Sequence, residues 1–562
     1  MLTAIKSAAP VVKAGPLVTV HNPVGYPPTI SRKQPAPRPG SLDGKTVYLV
    51  DTKFDDSVEL LKQVQAWFAA KMPGVKTVLR QMASYYGKDD PDLWNEIRTQ
   101  GHAAIIGVGH CSTCAPAVTT HAITLETKYG VPTVALHTDK FVRIARSVSR
   151  MGGLQQVPQV FVPQPVMGKS EAELRAYVEG NDPATGKPVM QEVVEGLTRG
   201  LAASAPGEER YARDTPRLEE PDTEDHLRER FERNGWTDFL PIVLPTEERV
   251  AAMLAGTRRK PDEVVGHMQP TPNRGLWEYT VEKVAVNAVM AGARPEYFPV
   301  ILALASTGIS ARGSTSSSAS VMTVVNGPVR HEIGMNCGIG AMGPYNHANA
   351  TIGRAYGLLS QNLQGGSVPG DTFMGSIGNN YTYNGITFAE NEERSPWEPL
   401  HVQKGFGAGT STVSVFHGCR STTFNLGLRK DYWREHVKDM LLGTDAITAP
   451  VLVLDPITAR QFVDRGGFDT KAKLIRWLHE TAEMPAGRYW DLQLVQNYIH
   501  SRATFGPSES PKARYVGVPA DAPVRIFEED AINVVVTGGE ANGYWQIMGA
   551  HYRTTVSVDD WR

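Results

Sequence analysis

The chain has 562 residues, of which 41% are hydrophobic and 21% charged, and its formal net charge is −2. It is too long for one hydrophobic core, lacks the basic charge of a nucleic-acid-binding protein, and has no apolar run of about 18 residues that could span a membrane. Four cysteines cannot form a disulfide framework in a chain of this length. Prolines interrupt the apolar N-terminal stretch, which makes it a poor signal peptide, so we expect a cytoplasmic protein of two or more domains.

Residues 1–44 are a proline-rich arm. Eight prolines occur between residues 10 and 40, with little periodic pattern. This composition favours extended backbone over helix or sheet. We expect the arm either to lie over the body of the protein or to reach a neighbouring subunit, and the second arrangement predicts a homo-oligomer.

Residues 45–165 alternate between strand and helix patterns. Apolar, β-branched runs predict strands, and the amphipathic stretches between them predict helices. In chain order these are strand 45–51, helix 55–71, strand 76–82, helix 90–101, strand 103–109, helix 115–130 and strand 132–138. The alternation predicts an α/β domain of flavodoxin or Rossmann type, with an open parallel sheet and helices on both faces.

The remainder of the chain divides into two segments. Residues 166–235 are rich in charged side chains and are interpreted as a charged helical connection. Residues 236–562 predict a larger α/β domain that binds the substrate, with long loops between its elements. Its clearest elements are helices 279–293, 348–363 and 470–483, strand 449–456, and a strand and glycine turn within 532–543 that a helix could follow.

Two cysteines stand three positions apart in "IIGVGHCSTCAPAVTTHA", residues 105–122. They follow a predicted buried strand and begin a predicted helix, at the edge where open α/β sheets bind ligands. Free N–H groups and the helix dipole favour an anion there and lower a thiol's pKa. We therefore assign Cys111 as a nucleophile and Cys114 as a resolving thiol, with His110 and His121 as candidate proton donors.

Two other interpretations of the cysteine pair stay open. A structural zinc needs four ligands, and Cys111, Cys114, His121 and His137 are the available set, although the chain has no second C-x-x-C. Alternatively, both cysteines are inert core residues, because free cysteine often packs as a small hydrophobe. We expect no bound metal.

The second domain supplies the candidate substrate pocket. Residues 326–355 crowd glycine, asparagine and charged residues, where asparagine either anchors a ligand or caps turns and helices. Arg330 could hold a carboxylate by two parallel hydrogen bonds, and Cys337 is either a third thiol or a core residue. Loop 390–406 pairs carboxylates with a histidine, and the glycines of 534–543 could bind an anion. The predicted substrate-binding residues are Asp51, Thr52, Asn326, Arg330, Glu332, Asn336, Cys337, Asn346, Asn349, Glu390, Glu398, His401, Gly538 and Gly539.

The segments around the cysteine pair resemble the UGSC-type selenoprotein domain. They are "DTK" (51–53), "IIGVGHCSTC" (105–114), "HAITLE" (121–126) and "GVPTVALHTDKF" (130–141), and residues 284–303, 326–344 and 390–402 resemble long members of that family. In the family's Sec-Gly-Ser-Cys motif, Cys111 would take the selenocysteine position and Cys114 the final one. The family is also similar to selenoprotein subunits of glycine- and betaine-reductase systems, in which a chalcogenolate displaces a leaving group from a small carbon substrate. Here a thiolate, a weaker nucleophile of higher pKa, would replace the selenolate.

Together these patterns predict a cysteine-dependent oxidoreductase that acts on a small polar or anionic organic substrate. No bound cofactor is expected; an external thiol reductant, for which a thioredoxin-like protein is a candidate, would restore the pair. One alternative is non-redox covalent catalysis, in which Cys111 attacks a nitrile, a thioester or an activated carbon as a hydrolase or lyase. A second alternative is a protein that binds a metal or another ligand without turnover.

Overall fold

The computed structural model describes residues 15–201, 208–209, 215–269, 275–313, 315–317, 319–364 and 375–562. The first fourteen residues of the predicted arm lie outside this part. The protein is α/β, with one sheet near the N-terminus and a larger mixed sheet after it. The strands, in chain order, are β1 Ile30–Ser31, β2 Thr46–Asp51, β3 Lys76–Gln81, β4 Ala103–Gly109, β5 Thr133–Thr138, β6 Gln159–Val162, β7 Glu208–Glu209, β8 Val264–Met268, β9 Trp277–Thr280, β10 Ser320–Asn326, β11 Ile386–Ala389, β12 Thr412–Leu426, β13 Pro450–Leu454, β14 Glu483–Pro485, β15 Pro523–Arg525, β16 Asn533–Val536 and β17 Tyr544–Ser557.

The helices frame both sheets. In chain order they are α1 Ser57–Lys71, α2 Pro91–Gln100, α3 Cys114–Thr124, α4 Val142–Met151, α5 Glu171–Glu179, α6 Val189–Thr198, α7 Glu224–Arg233, α8 Glu247–Leu254, α9 Val281–Met290, α10 Phe298–Ser306, α11 Val329–Glu332, α12 His347–Asn362, α13 Leu400–Gln403, α14 Trp433–Leu442, α15 Pro456–Asp464, α16 Lys471–Thr481, α17 Ala486–Asp491, α18 Gln493–Val495 and α19 Ser501–Phe505. None of the described helices is both long and apolar enough to cross a membrane.

The first sheet has five parallel strands in the order β3-β2-β4-β5-β6. Four of them and the intervening helices follow the predicted alternation, and β6 adds a fifth strand that the sequence pattern did not show. The central strand β4 is buried along its whole length, as expected of a continuous apolar run with helices on both faces. This strand order is the flavodoxin-like one, so the chain direction across the sheet reverses between β2 and β4.

Part of the charged segment after residue 165 completes the first unit. Leu174 and Val178 of α5, and Val189, Val193 and Leu197 of α6, are buried in the same apolar cluster as the strands of the first sheet. A serine–glutamate capping box on Ser170 begins α5 and satisfies backbone N–H groups that a helix start leaves free.

The described part of the arm lies along its own chain. The ammonium of Lys283 on α9 donates to the Asn22 carbonyl oxygen (2.7 Å), in the second unit. Farther along, Arg38 pairs with buried Glu126 beside α3, in the first unit, with 2.7 Å between Nη2 and Oε1. The arm is therefore anchored on both units.

The second sheet has six strands in the order β11-β10-β12-β17-β13-β16. Its two edge strands, β11 and β16, approach each other at their ends. There the Thr537 hydroxyl donates to the Ala389 carbonyl oxygen, and the Asn391 N–H donates to the Val536 carbonyl oxygen. The sheet thus curls, and side chains from all six strands pack in one interior cluster. The helix considered after the glycine turn at 538–539 does not form; long strand β17 begins there instead.

Candidate active site

The cysteine pair lies at the carboxyl edge of the first sheet. Asp51 ends β2 opposite Gly107 of β4, and Cys111 follows β4 by two residues. Open sheets of this order bind ligands where the connections leave neighbouring strands in opposite directions, which here is the crevice between β2 and β4. The predicted position of the pair at this edge agrees with the structure.

The start of α3 fixes the geometry of the two thiols. Cys114 is the first residue of the helix, and its backbone N–H donates to the Cys111 sulfur at 2.9 Å. The Cys114 thiol donates to the Cys111 carbonyl oxygen at 3.5 Å. The free N–H groups of the helix start therefore face the sulfur of Cys111, an arrangement that suits a thiolate.

The two thiols have opposite pKa shifts. Burial raises the pKa of the Cys111 thiol, but hydrogen bonds from the side chains and backbone of Cys114 and Thr113 outweigh it, so the net pKa is lowered. Burial and the neighbouring Cys111 charge raise the pKa of Cys114 well above its usual range. Of the two thiols, Cys111 is therefore the one that loses its proton at the lower pH.

A chain of hydroxyl groups supports the Cys111 sulfur. Thr113 Oγ1 lies 3.4 Å from it, and the Tyr86 hydroxyl lies 2.9 Å from the same Thr113 oxygen. With Thr113 donating to the thiolate, Tyr86 donates to Thr113. Burial is the main cause of the raised pKa of the Tyr86 hydroxyl. This hydroxyl therefore keeps its proton at neutral pH.

The two predicted proton donors contact backbone carbonyls. His110 Nε2 lies 2.9 Å from the carbonyl oxygen of Phe54, and His121 Nε2 lies 2.7 Å from that of Tyr86. Burial lowers the His110 pKa to about 4 and also lowers that of His121, so both rings are neutral at neutral pH. In this structure they position Phe54 and Tyr86, two walls of the thiol site.

The four side chains considered as zinc ligands each have other partners. His121 contacts the Tyr86 carbonyl, while His137 Nε2 lies 3.2 Å from the Thr119 hydroxyl. Burial lowers the pKa of His137 to about 3. Across the described ranges, no three His, Cys, Asp or Glu side chains converge as they would around a metal ion.

The second unit closes over the thiols. Phe54, Tyr86 and both cysteines form an apolar cluster, and Tyr498 of the second unit packs against it. Ser316, which precedes β10, lies 3.3 Å from both the backbone nitrogen and the hydroxyl of Ser112, the residue after Cys111. Cys111 is only 4% exposed. Residues of both units contribute to its surroundings.

A polar cavity of about 540 Å³ adjoins this cluster. The cavity is lined by residues at and after the ends of β2 and β3 and by residues from the 493–504 segment of the second unit. Asp51 accepts hydrogen bonds from Ser57 and from Gln81 Nε2 (2.8 Å). Lys53 and Asp55 have positive φ angles of 57° and 51°, a conformation that non-glycine residues rarely adopt. Thr52 was predicted to contact the substrate. Its hydroxyl donates to the Gly107 carbonyl oxygen and so connects β2 to β4.

Several predicted substrate-binding residues form a buried network of charged and polar side chains. This network lies at the carboxyl end of β10, the end away from the thiol site. Asn326 Nδ2 donates to Glu390 (2.6 Å) and Glu392 (2.9 Å), and the Lys471 ammonium lies 3.3 Å from Glu390. Arg330 pairs with Glu392 and with Glu393. His401 is buried, with 4.0 Å between its Nδ1 and Glu392.

The predicted asparagines have local partners. Asn346 caps α12 by accepting the backbone N–H of Asn349 (3.0 Å). Asn349 in turn accepts the Asn336 N–H and donates to its carbonyl oxygen. Asn346 therefore has the capping role that was one of the two roles expected for these asparagines.

The remaining predicted contacts lie on or near the surface. Glu332 pairs with Arg562, and Glu398 accepts from Gln403. Gly538 donates its N–H to the Cys337 carbonyl, so that donor already has a partner. A second cavity, of about 300 Å³, is lined by Gly538, Gly539 and the loop around Ile339.

The thiol site and the charge network lie at opposite ends of one strand. Ser316 precedes β10 and Asn326 ends it. The seven residues of β10 put these ends roughly 20 Å apart at about 3.3 Å per residue. Among the described residues of the second unit, Tyr498 packs against the thiol cluster and Ser316 contacts Ser112. Neither residue was predicted from the sequence.

Comparison with known proteins finds one match, to the N-terminal third of the chain. A model of the UGSC family matches residues 19–199, a range that contains the first sheet, both thiols and most of the described arm. No curated protein and no solved structure matches the chain.

Proposed function

We propose that the chain is a thiol-dependent enzyme with Cys111 as its nucleophile, and the match of the UGSC family model to residues 19–199 supports this proposal. One observation carries the proposal: the Cys111 sulfur accepts the N–H at the start of α3, which favours its thiolate. A small polar substrate fits a site this enclosed better than a protein does. The UGSC resemblance suggests a reductive reaction.

The proposed reaction has two steps. The Cys111 thiolate attacks an electrophilic carbon, the carbon–sulfur bond forms, and the leaving group departs with the electron pair of its bond. Cys114 then loses its proton and attacks the Cys111 sulfur. The carbon leaves with the electron pair of the carbon–sulfur bond and takes up a proton, and a Cys111–Cys114 disulfide remains. The carbon gains two electrons, the thiols lose two, and an external thiol reductant restores the pair.

Alkylation against pH, followed for each cysteine by peptide mass spectrometry, tests the nucleophile. We expect Cys111 to react fastest and at the lowest pH. Burial raises the pKa of both Cys337 and Cys419, that of Cys419 to about 12, so they serve as internal references. A Cys111 that reacts no faster than Cys419 until the protein unfolds would contradict the proposal.

A second experiment tests the resolving role. With a substrate or an alkylating analogue that carries a leaving group, Cys114→Ser should accumulate a stable adduct on Cys111, whereas the double variant Cys111→Ser with Cys114→Ser should form no adduct at either position. Oxidation of the unmodified protein should protect Cys111 and Cys114 together. Normal turnover by Cys114→Ser would remove Cys114 from the mechanism.

One observation favours a second candidate, non-redox covalent catalysis. Cys114 is fully buried and its pKa is raised well above the usual range, which makes it a poor attacking thiolate. In that case water or an elimination step would release the adduct, as in a hydrolase or lyase. Turnover that is indifferent to added thiol reductant, with Cys114→Ser active, would favour this candidate. Stoichiometric zinc in the purified protein, without turnover, would instead favour a metal-binding protein.

A further inference from the structure

We propose that Arg420 of the second unit is a positioning residue for the nucleophile Cys111. Arg420 holds Ser317, and the adjacent Ser316 contacts the residue that follows Cys111. The proposal rests on the proposed function, because it concerns the same nucleophile. It gives the second unit a role in the chemistry of a thiol that the first unit carries.

The peptide unit between Cys111 and Ser112 is held from both sides. On one side, the Cys111 carbonyl oxygen accepts the N–H of Ala115 in α3 at 3.0 Å. On the other side, the Ser112 N–H donates to the Ser316 hydroxyl oxygen at 3.3 Å. Because a peptide unit is planar, partners on its C=O and its N–H together fix its orientation. The 2.9 Å contact from the Cys114 N–H to the Cys111 sulfur depends on that orientation, since it closes the same turn.

Ser316 lies in a short turn that precedes β10. The Ser317 N–H donates to the Thr315 hydroxyl oxygen at 3.1 Å, and the hydroxyl oxygens of these two residues lie 2.8 Å apart. The Ser316 carbonyl oxygen accepts the Ser376 N–H at 3.2 Å. Side-chain-to-backbone bonds of this kind are typical of turns that contain serine and threonine. These contacts fix the shape of the turn.

Arg420 attaches this turn to the second sheet. Its Nη1 donates to the Ser317 hydroxyl oxygen at 2.9 Å, and its Nε lies 3.4 Å from Asp445 Oδ2. Asp445 is itself held, since its Oδ1 accepts the Ile447 N–H at 3.2 Å. A guanidinium is planar and carries several donors in fixed directions, so two partners set its orientation. The Ser317 hydroxyl is thereby fixed relative to β12.

The backbone of β12 gives independent support, because it is irregular at Arg420. The antiparallel ladder of β12 with β17 shifts register between His417 and Ser421. Within this stretch Gly418 has a φ of 92°, in the left-handed region that favours glycine. Such irregularities interrupt a ladder and redirect side chains, and they are frequent next to active sites. Arg420 lies inside the irregular stretch, and its side chain reaches the turn at Ser317.

The pH profile of Cys111 alkylation by iodoacetamide tests the proposal. Ser316→Ala removes the hydroxyl that accepts the N–H next to Cys111, and Arg420→Ala removes the attachment of the turn. Each change should loosen the N–H contact to the Cys111 sulfur. We therefore expect the midpoint of the profile to rise by about half a pH unit or more, and the rate below the midpoint to fall at least about threefold.

Ser317→Ala separates positioning from a direct effect of charge. It breaks the link to the turn and leaves the ion pair between Arg420 and Asp445 in place, so it also serves as the test if Arg420→Ala disturbs folding. Under the proposal, Ser317→Ala shifts the profile as far as Arg420→Ala does, and the two changes together shift it no further. Arg553→Ala, at an exposed position on the neighbouring strand β17, is the matched control and should leave the profile unchanged.

The outcomes separate this inference from the proposed function. A profile that does not move in Ser316→Ala or in Ser317→Ala overturns the inference, and so do additive shifts in Ser317→Ala and Arg420→Ala. In these cases Cys111 remains the nucleophile. If Cys111 of the unmodified, folded protein reacts no faster than Cys419, the proposed function itself fails. Shifts in both serine variants, without further change when Arg420→Ala is added to Ser317→Ala, support the positioning role.

Discussion

The ring of Tyr498 meets the ring of Phe54 edge to face, with 5.8 Å between their centroids and 64° between their planes. Phe54 belongs to the first unit and Tyr498 to the second, in a single π-helical turn, Gln496–His500. This contact covers Cys111 on the side of the polar cavity. Access to the Cys111 sulfur therefore depends on how these two rings are held.

Removal of the Tyr498 ring should expose the thiol. In Tyr498→Ala we expect alkylation of Cys111 by a bulky maleimide to rise at least about tenfold, while alkylation by small iodoacetamide changes less, because the loss of one aromatic ring opens a passage. Tyr345→Ala, at a residue that is 94% exposed, is the matched control. An unchanged maleimide rate would show that Tyr498 does not limit access.

The Thr113 hydroxyl should lower the pKa of Cys111. Thr113→Val keeps the shape of the side chain and removes the donor, so the Cys111 pKa should rise and its alkylation rate at pH 7 should fall by about tenfold. Thr124→Val, at the far end of α3, provides the control because the Thr124 hydroxyl donates to the Thr120 carbonyl oxygen. The check is the full pH profile of alkylation; a profile that does not move would assign the low pKa to the helix start alone.

The buried ion pair between Lys471 and Glu390 should contribute strongly to stability. Both side chains are fully buried, so Lys471→Met leaves a buried carboxylate without its ammonium and should cost about 3–5 kcal/mol in the free energy of unfolding. Lys473→Met breaks only an exposed pair with Asp469 and should cost less than about 1 kcal/mol. Urea unfolding measures both. The double change Lys471→Met with Glu390→Gln should cost less than the sum of the single changes; additive costs would contradict a coupled pair.

Acid should destabilise the first unit through its buried histidines. His110 and His137 have pKa values lowered from 6.5 to about 4 and about 3, so the unfolded chain binds their protons first as the pH falls. Their stabilisation is present above pH 6.5 and decreases below it toward these folded-state values, by up to about 1.4 kcal/mol per pH unit for each histidine.

Variants check the source of this pH dependence. Between pH 7 and pH 5, His137→Gln should show a smaller loss of unfolding free energy than the unmodified protein. His226→Gln, which removes an exposed histidine, should keep the full loss. An equal slope in all three proteins would attribute the acid sensitivity to other groups.

The first sheet was largely predictable because its strands are continuous apolar runs separated by amphipathic helices. The strand β6 escaped prediction because prolines surround its four residues, and prolines usually indicate a loop. The long strands β12 and β17 were missed for a different reason. Their second halves alternate half-buried and exposed residues, so only part of each strand is apolar.

The two thiols could be located from sequence because a strand end and a helix start are local features. The positions of Tyr498 and Ser316 could not, because only the tertiary fold brings Tyr498 to the thiol cluster and Ser316 to Ser112. Asn346 and Asn349 had the composition of a ligand site, yet the Asn346 side chain caps α12 and the Asn349 side chain bonds the backbone of Asn336. Composition alone does not separate these roles, because both use the same amide groups.

The arm also has a thermodynamic consequence for the whole molecule. It is bound to Lys283 in one half of the protein and to Glu126 in the other. Neither half can lose its structure without releasing the arm from its own surface, and that release removes contacts that orient the other half. The two halves should therefore melt in one cooperative calorimetric transition. A single proteolytic cut between residues 26 and 36 should split that transition into two.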